Sequence, residues 1–144
     1  MSFAIGIVNT KNCLNIGTLM RSALNLGASM VFTVGRRYKK ECSDTQNTFK
    51  QIPLIHFENW QDFLEHCPHA WIPVAVEICE GAVDIKDFKH PKEAIYILGA
   101  EDHGLPKEAL KIKNKIYIPT NRCMNVAVTG SIVMYDRMIK LSVK

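Results

Sequence analysis

Few side chains in this sequence could do chemistry alone. Five histidines, His56, His66, His69, His90 and His103, show no H-E-x-x-H or other metal-ligand spacing, so no metal site is expected and each reads as a surface or loop residue. Cys123 could be a nucleophile, but no histidine or acid stands at a spacing that would activate it. Neither G-x-G-x-x-G after the first apolar run nor G-x-x-x-x-G-K-[ST] is found, which removes the sequence support for dinucleotide or phosphate-loop chemistry. Glu101 sits in a glycine-bounded loop, where capping a turn would account for it. Two features hold more promise. Arg21 carries a permanent charge on a helix, and a β-branched run ending in Ile118-Pro119 passes through a short polar loop into an apolar segment that starts near Asn125. Strand-to-helix corners of this kind are where α/β proteins bind ligands, because they expose backbone donors and acceptors.

The surrounding elements decide whether these groups can meet. Residues 1–8 form an apolar run without a basic segment or small-residue cleavage site, and read as a first strand rather than a signal peptide. Ile16, Leu19, Met20, Ala23 and Leu24 then recur at helical spacing, and Gly27 supplies a stop. On that helix Arg21 points away from the centre of the apolar stripe, and Gly17, one turn earlier, leaves space on its flank; the guanidinium is free to face a cleft. Residues 30–34 complete a β-α-β unit, whose crossover should be right-handed and whose strands should be parallel. Further strands are expected at residues 54–57, 71–78, 94–98 and 115–118. Short helices are expected near Trp60 and from Pro106 through Ile112. The last helix, about residues 125–141, is apolar on two sides: Val126, Val133 and Met134 mark one, and Val128, Ile132, Tyr135 and Ile139 the other. Such a helix needs two surfaces to bury it. One is its own sheet; the other is assigned to a second copy of the chain, with Gly130 allowing close approach. Alternating strands and helices predict an α/β domain with a mainly parallel sheet flanked by helices.

Composition sets the bounds. With 144 residues the chain fits one domain, residues 1–144, and no apolar run is long enough to cross a bilayer. Five widely spaced cysteines without a C-x-x-C pair argue for reduced thiols, and the N-terminus read as a strand sets the expectation of a cytoplasmic protein. The net charge of +4 permits a polyanionic partner without requiring one. The basic residues cluster, at Arg36-Arg37-Tyr38-Lys39-Lys40 and again at Lys107, Lys111, Lys113 and Lys115; counted as charge alone, a solvated surface explains them as well as a binding site does.

Three stretches, taken together, narrow the function. Asn15-Ile16-Gly17-Thr18-Leu19-Met20-Arg21-Ser22-Ala23 resembles N-x-G-x-x-x-R-x-A; Gly99-Ala100-Glu101-Asp102-His103-Gly104-Leu105 resembles G-x-E-x-x-G-L; and Ile118-Pro119 followed by Cys123-Met124-Asn125-Val126-Ala127 resembles I-P…S-L-N-V-S/A. In this order they are similar to the motifs of the SPOUT methyltransferase superfamily, specifically its SpoU-like RNA ribose methyltransferases, and they frame nearly the whole chain.

That resemblance implies a C-terminal deep trefoil knot, an exception to the rule that chains do not thread. It implies an S-adenosylmethionine pocket between the loop at Gly99 and the corner at Ile118, with Leu98, Gly99, Ile118, Met124, Val126 and Ala127 as cofactor-binding residues. It further implies a homodimer with the active site at the subunit interface, and methyl transfer to a ribose 2′-hydroxyl. Arg21 matches the catalytic arginine. Because a guanidinium keeps its proton, its role is expected to be gripping the adjacent phosphate and stabilising the developing oxyanion rather than acting as base. Asn15, Glu101 and Asn125 match the polar residues around it: Glu101 would orient Arg21 or Asn15, and Asn125 would hold the loop or the ribose. Arg36, Arg37, Tyr38 and Lys39 become a candidate RNA grip, with Tyr38 stacking on a base. The RNA is expected to be tRNA rather than rRNA, because no separate rRNA-binding extension is present. Alternatives are a knotted enzyme acting on a base or on rRNA, or an RNA-binding dimer without catalysis. Two departures bear on these: Cys123 replaces the usual serine, a stronger hydrogen-bonding residue, and the loop between Pro119 and Cys123 looks short.

Overall fold

The computed structural model describes residues 1–36 and 47–142. Of the expected RNA grip, Arg37, Tyr38 and Lys39 therefore lie outside the described residues. The elements run β1 (Ser2–Val8), α1 (Cys13–Asn25), β2 (Met30–Val34), β3 (Leu54–Phe57), α2 (Trp60–His66), β4 (Ile72–Val76), β5 (Val83–Asp84), β6 (Glu93–Leu98), β7 (Asn114–Tyr117) and α3 (Val126–Ser142). Among the described residues the strands form one sheet in the order β3-β2-β1-β6-β4-β7-β5, and every pairing is parallel.

Period-two alternation sends side chains of the central strands to opposite faces. Phe3, Ile5 and Ile7 of β1, with Tyr96 and Leu98 of β6, join α1 and α3 in one core. Ala4 and Val8, with Ile95 and Ile97, join Phe63 of α2 in the other. Both faces of the sheet are thus covered, as an all-parallel sheet requires. Gly6 allows the close packing on the second face, since a Cβ there would stand 2.3 Å from the Phe32 carbonyl oxygen. Parallel register also brings strand ends together: Ile7 pairs with Leu98, Leu98 with Val76, and Val76 with Ile116. The segments after β1, β4, β6 and β7 consequently leave the sheet at the same edge, and the chain order reverses between β1 and β6. That is the position at which open α/β sheets bind ligands.

Three expectations need correction. Residues 106–112 do not form an α-helix; Ala109–Lys111 is a single 3-10 turn, closed by i→i+3 bonds such as Ile112 N–H to the Ala109 carbonyl, 3.1 Å. A segment this short cannot offset the cost of helix nucleation. His90 is buried rather than superficial, only 7% exposed. Its Nδ1 lies 2.6 Å from the Tyr96 hydroxyl and its Nε2 lies 2.8 Å from Asp136. Burial pushes the imidazole below its usual value, with Asp136 pulling the other way, and burial pushes the Tyr96 phenol up to about 12. Arg137 completes this cluster by donating to the Lys92 carbonyl, 2.6 Å, which ties the end of α3 to the start of β6.

Gly130 is the third. It faces the core rather than a second subunit, and a Cβ there would meet Leu19 at 2.5 Å, Leu98 at 3.2 Å and Ile5 at 3.4 Å. The glycine lets α3 lie close against α1, and the two helices are joined by a 2.8 Å hydrogen bond from the Ser131 hydroxyl to that of Ser22. Gly130→Val should overpack this contact and destabilise the protein by about 1–3 kcal/mol. Urea unfolding would show it as a lowered midpoint at unchanged slope.

Candidate active site

The first motif opens α1. Asn12 caps the helix, its side chain accepting from the Leu14 N–H at 2.9 Å, and this fixes the turn between β1 and α1. Asn15 then lies in the first turn, 7% exposed, pointing to the sheet edge. Its amide nitrogen donates to Glu101. Its carbonyl oxygen accepts from the Asn125 amide, 2.8 Å away. Asn125 in turn precedes α3 and caps it: the Asn125 Oδ1 accepts from the N–H groups of Ala127 at 2.9 Å and Val128 at 3.2 Å. One chain of hydrogen bonds therefore runs Asn125 to Asn15 to Glu101 and joins all three motifs. Glu101 thus contacts Asn15, and Asn125 contacts both Asn15 and the first turn of α3.

Glu101 collects two further donors, the Thr10 hydroxyl at 2.7 Å and the Lys11 N–H at 3.3 Å. Burial raises its pKa, but the hydrogen bonds from Thr10, Asn15 and Lys11 outweigh this and hold the carboxyl below its ordinary range. Three neighbouring donors thus hold this carboxylate in place. Lys11 also pairs with Asp102, which holds that carboxyl low as well. Arg36, the described member of the expected grip, donates to the Thr10 carbonyl at 3.4 Å and so lies on the same turn.

Beside this chain lies a cavity of about 440 Å³, within the usual range for small-molecule sites. Of the residues expected to bind the cofactor, Leu98, Gly99, Ile118, Met124 and Val126 line it, together with Glu101. Ala127 does not; it is fully buried in the core, where the turn that starts α3 places it. Gly99 is required by the loop itself, since a Cβ would stand 2.4 Å from the Gly104 carbonyl carbon and 2.5 Å from the Leu105 nitrogen. Arg21 is half-buried on α1 and is not among the lining residues. Cys123 does line the cavity and is exposed.

The family model described as the SpoU rRNA Methylase family matches residues 2–135. The chain belongs to the SpoU family. Solved structures share the fold. An AdoMet-bound rRNA methyltransferase from Sinorhizobium meliloti matches with 24% identity and a TM-score of 0.84, over 97% of this chain and 57% of that one. A protein whose structure concerns 2-OH methylation of C/U34 on tRNA matches with 19% identity and a TM-score of 0.86, over 99% of this chain and 98% of that one. AviRb from Streptomyces viridochromogenes, in complex with AdoMet, matches with 17% identity and a TM-score of 0.87, over 99% of this chain and 62% of that one. Among curated proteins nothing matches.

Several residues of this SpoU site carry no sequence signal of their own. Thr10 and Lys11 contact Glu101 across about ninety positions of chain, and Glu77, Tyr117 and Thr129 line the cavity from outside the motifs. None of these is marked in advance: the strand expected at residues 71–78 runs through Glu77, which the structure places directly after β4. Among the described residues no group of histidine, cysteine and carboxylate side chains is placed to hold a metal ion, and no helix is long and apolar enough to cross a membrane.

Proposed function

We propose that this protein is an S-adenosylmethionine-dependent RNA methyltransferase that modifies a ribose 2′-hydroxyl of tRNA, acting in the cytoplasm as a homodimer with a knotted C-terminal segment. The observation that carries the proposal is the hydrogen-bonded chain Asn125–Asn15–Glu101 at the rim of a cavity walled by the second and third motif segments.

The cavity suits the cofactor. Leu98, Ile118, Met124 and Val126 offer apolar surface to an adenine face, and the Gly99 loop brings backbone donors and acceptors to its edge. Bound there, S-adenosylmethionine supplies an electrophilic methyl group. The chain's own residues supply the rest. Arg21 grips the phosphate beside the target ribose and stabilises charge on the attacking oxygen. Asn15, held by Glu101 on one side and Asn125 on the other, fixes the start of α1 and hence the direction of Arg21.

The dimer is supported by α3. Its inner side is buried, whereas Val128, Ile132, Tyr135 and Ile139 are 47%, 36%, 54% and 44% exposed in one continuous stripe. A contiguous apolar stripe of this kind marks an interaction surface. Arg21 neighbours Ser22, which bonds to α3, so pairing through this stripe would carry Arg21 toward the partner's cavity. Exits after β6 and β7 at the same edge of the sheet, with only β4 between them, support the knot, and tRNA is supported by a relative that matches end to end.

Calorimetry with S-adenosylmethionine, followed by transfer of labelled methyl to a tRNA mixture, tests the proposal. Binding with a stoichiometry of about one per protomer, and label in tRNA, is expected; absence of binding would overturn it.

A further inference from the structure

Glu77 is a cavity residue that none of the sequence motifs contains. It follows β4 directly and is half-buried. Both carboxylate oxygens are fixed by backbone donors: Oε1 accepts from the N–H of Ile78 at 2.9 Å and Oε2 from that of Leu105 at 3.1 Å. Room for the group comes from Gly104, which has a positive φ of 65° and whose Cβ would stand 2.4 Å from Oε2. Each oxygen retains a free lone pair after these bonds. The carboxylate is therefore immobilised in the cavity wall with acceptor capacity to spare.

The charge balance of the cavity is one-sided. Among the described residues three carboxylates, those of Glu77, Glu101 and Asp102, line it, and no lysine or arginine does. Asp102 is compensated by its ion pair with Lys11 and lies 3.2 Å from His103. Glu101 is engaged by Thr10, Asn15 and the Lys11 N–H. Glu77 has no cationic partner among the described residues, and only neutral backbone groups hold it. An ionised side chain left uncompensated in a partly enclosed site favours a ligand that carries the opposite charge.

Resting on the proposed cofactor, we infer that Glu77 makes the cavity select the sulfonium cofactor over its demethylated product. The two ligands differ by one methyl group and one positive charge: S-adenosylmethionine is a sulfonium, and S-adenosylhomocysteine is a thioether neutral at sulfur, with the same zwitterionic amino-acid end. A preorganised carboxylate in the wall weakens only the product's relative hold, which aids exchange of product for fresh cofactor. Glu77 is thus a specificity residue as well as the anchor of the loop that contains Gly99 and Glu101.

Calorimetry on the full-length protein separates the two roles, with S-adenosylmethionine, S-adenosylhomocysteine and sinefungin, an analogue with an amine in place of the sulfonium. Glu77→Gln keeps the size of the side chain and removes its charge. Its affinity for the two cationic ligands should fall about tenfold more than its affinity for the thioether. Any disturbance of the Leu105 anchor weakens all three alike and leaves their ratios unchanged. Unchanged ratios would overturn the inference while leaving the cofactor assignment standing. Failure of the wild-type protein to bind any of the three would overturn both.

Discussion

Arg21→Ala is expected to lower kcat for methyl transfer by about 100- to 1,000-fold, while the affinity for S-adenosylmethionine changes less than about threefold. The magnitude is that of removing one preorganised donor from a developing oxyanion. The separation of the two readouts follows from position: Arg21 is outside the lining of its own protomer's cavity, so a small effect on cofactor affinity is expected. Arg21→Lys should recover little, because a point charge does not reproduce the planar fork with which a guanidinium holds a phosphate. Single-turnover kinetics with saturating cofactor would check this, alongside calorimetry of the same variant. A variant that binds cofactor and transfers methyl at the wild-type rate would remove Arg21 from the mechanism.

The second large effect lies on the outer side of α3. Ile132→Asp combined with Tyr135→Asp should convert the protein to a monomer in sedimentation at micromolar concentration and reduce methyl transfer at least 100-fold. Both side chains are exposed in the protomer, 36% and 54%, so neither change opens a cavity or buries a charge within it. The thermal transition of the separated protomer should remain cooperative, with the far-ultraviolet circular dichroism spectrum unchanged. Loss of activity without loss of fold then follows if Arg21 of one protomer completes the site of the other. Retention of full activity by a demonstrated monomer would show that a single chain holds the whole site.

Much of this site was legible in the sequence because it is built from side chains close to strand and helix ends. Asn15 in the first turn of α1, Glu101 after β6 and Asn125 before α3 are each fixed by local structure, and the parallel sheet brings those ends to one edge. Periodicity likewise separated the two sides of α3, where Val133 and Met134 are buried and Val128 and Tyr135 exposed. What pattern reading missed depends on contacts between distant segments. Thr10 and Lys11 meet Glu101 only because β1 and β6 are neighbours, and Glu77 meets Leu105 only because β4 ends beside the loop after β6. Gly130 could equally have suited a dimer contact or an intramolecular one, since a bare helix face records closeness but not the partner. His90 could not be recognised as buried without Tyr96 and Asp136, whose side chains satisfy its ring. Ala127 belongs to a binding motif yet serves the core, because one turn of helix swings it inward.

The position of the methyl group tests the central proposal most directly. tRNA incubated with the protein and labelled S-adenosylmethionine can be digested to nucleosides and the label located by mass spectrometry. A methyl on the ribose 2′-oxygen of a tRNA nucleoside is the expected result; a methyl on a nucleobase would contradict it.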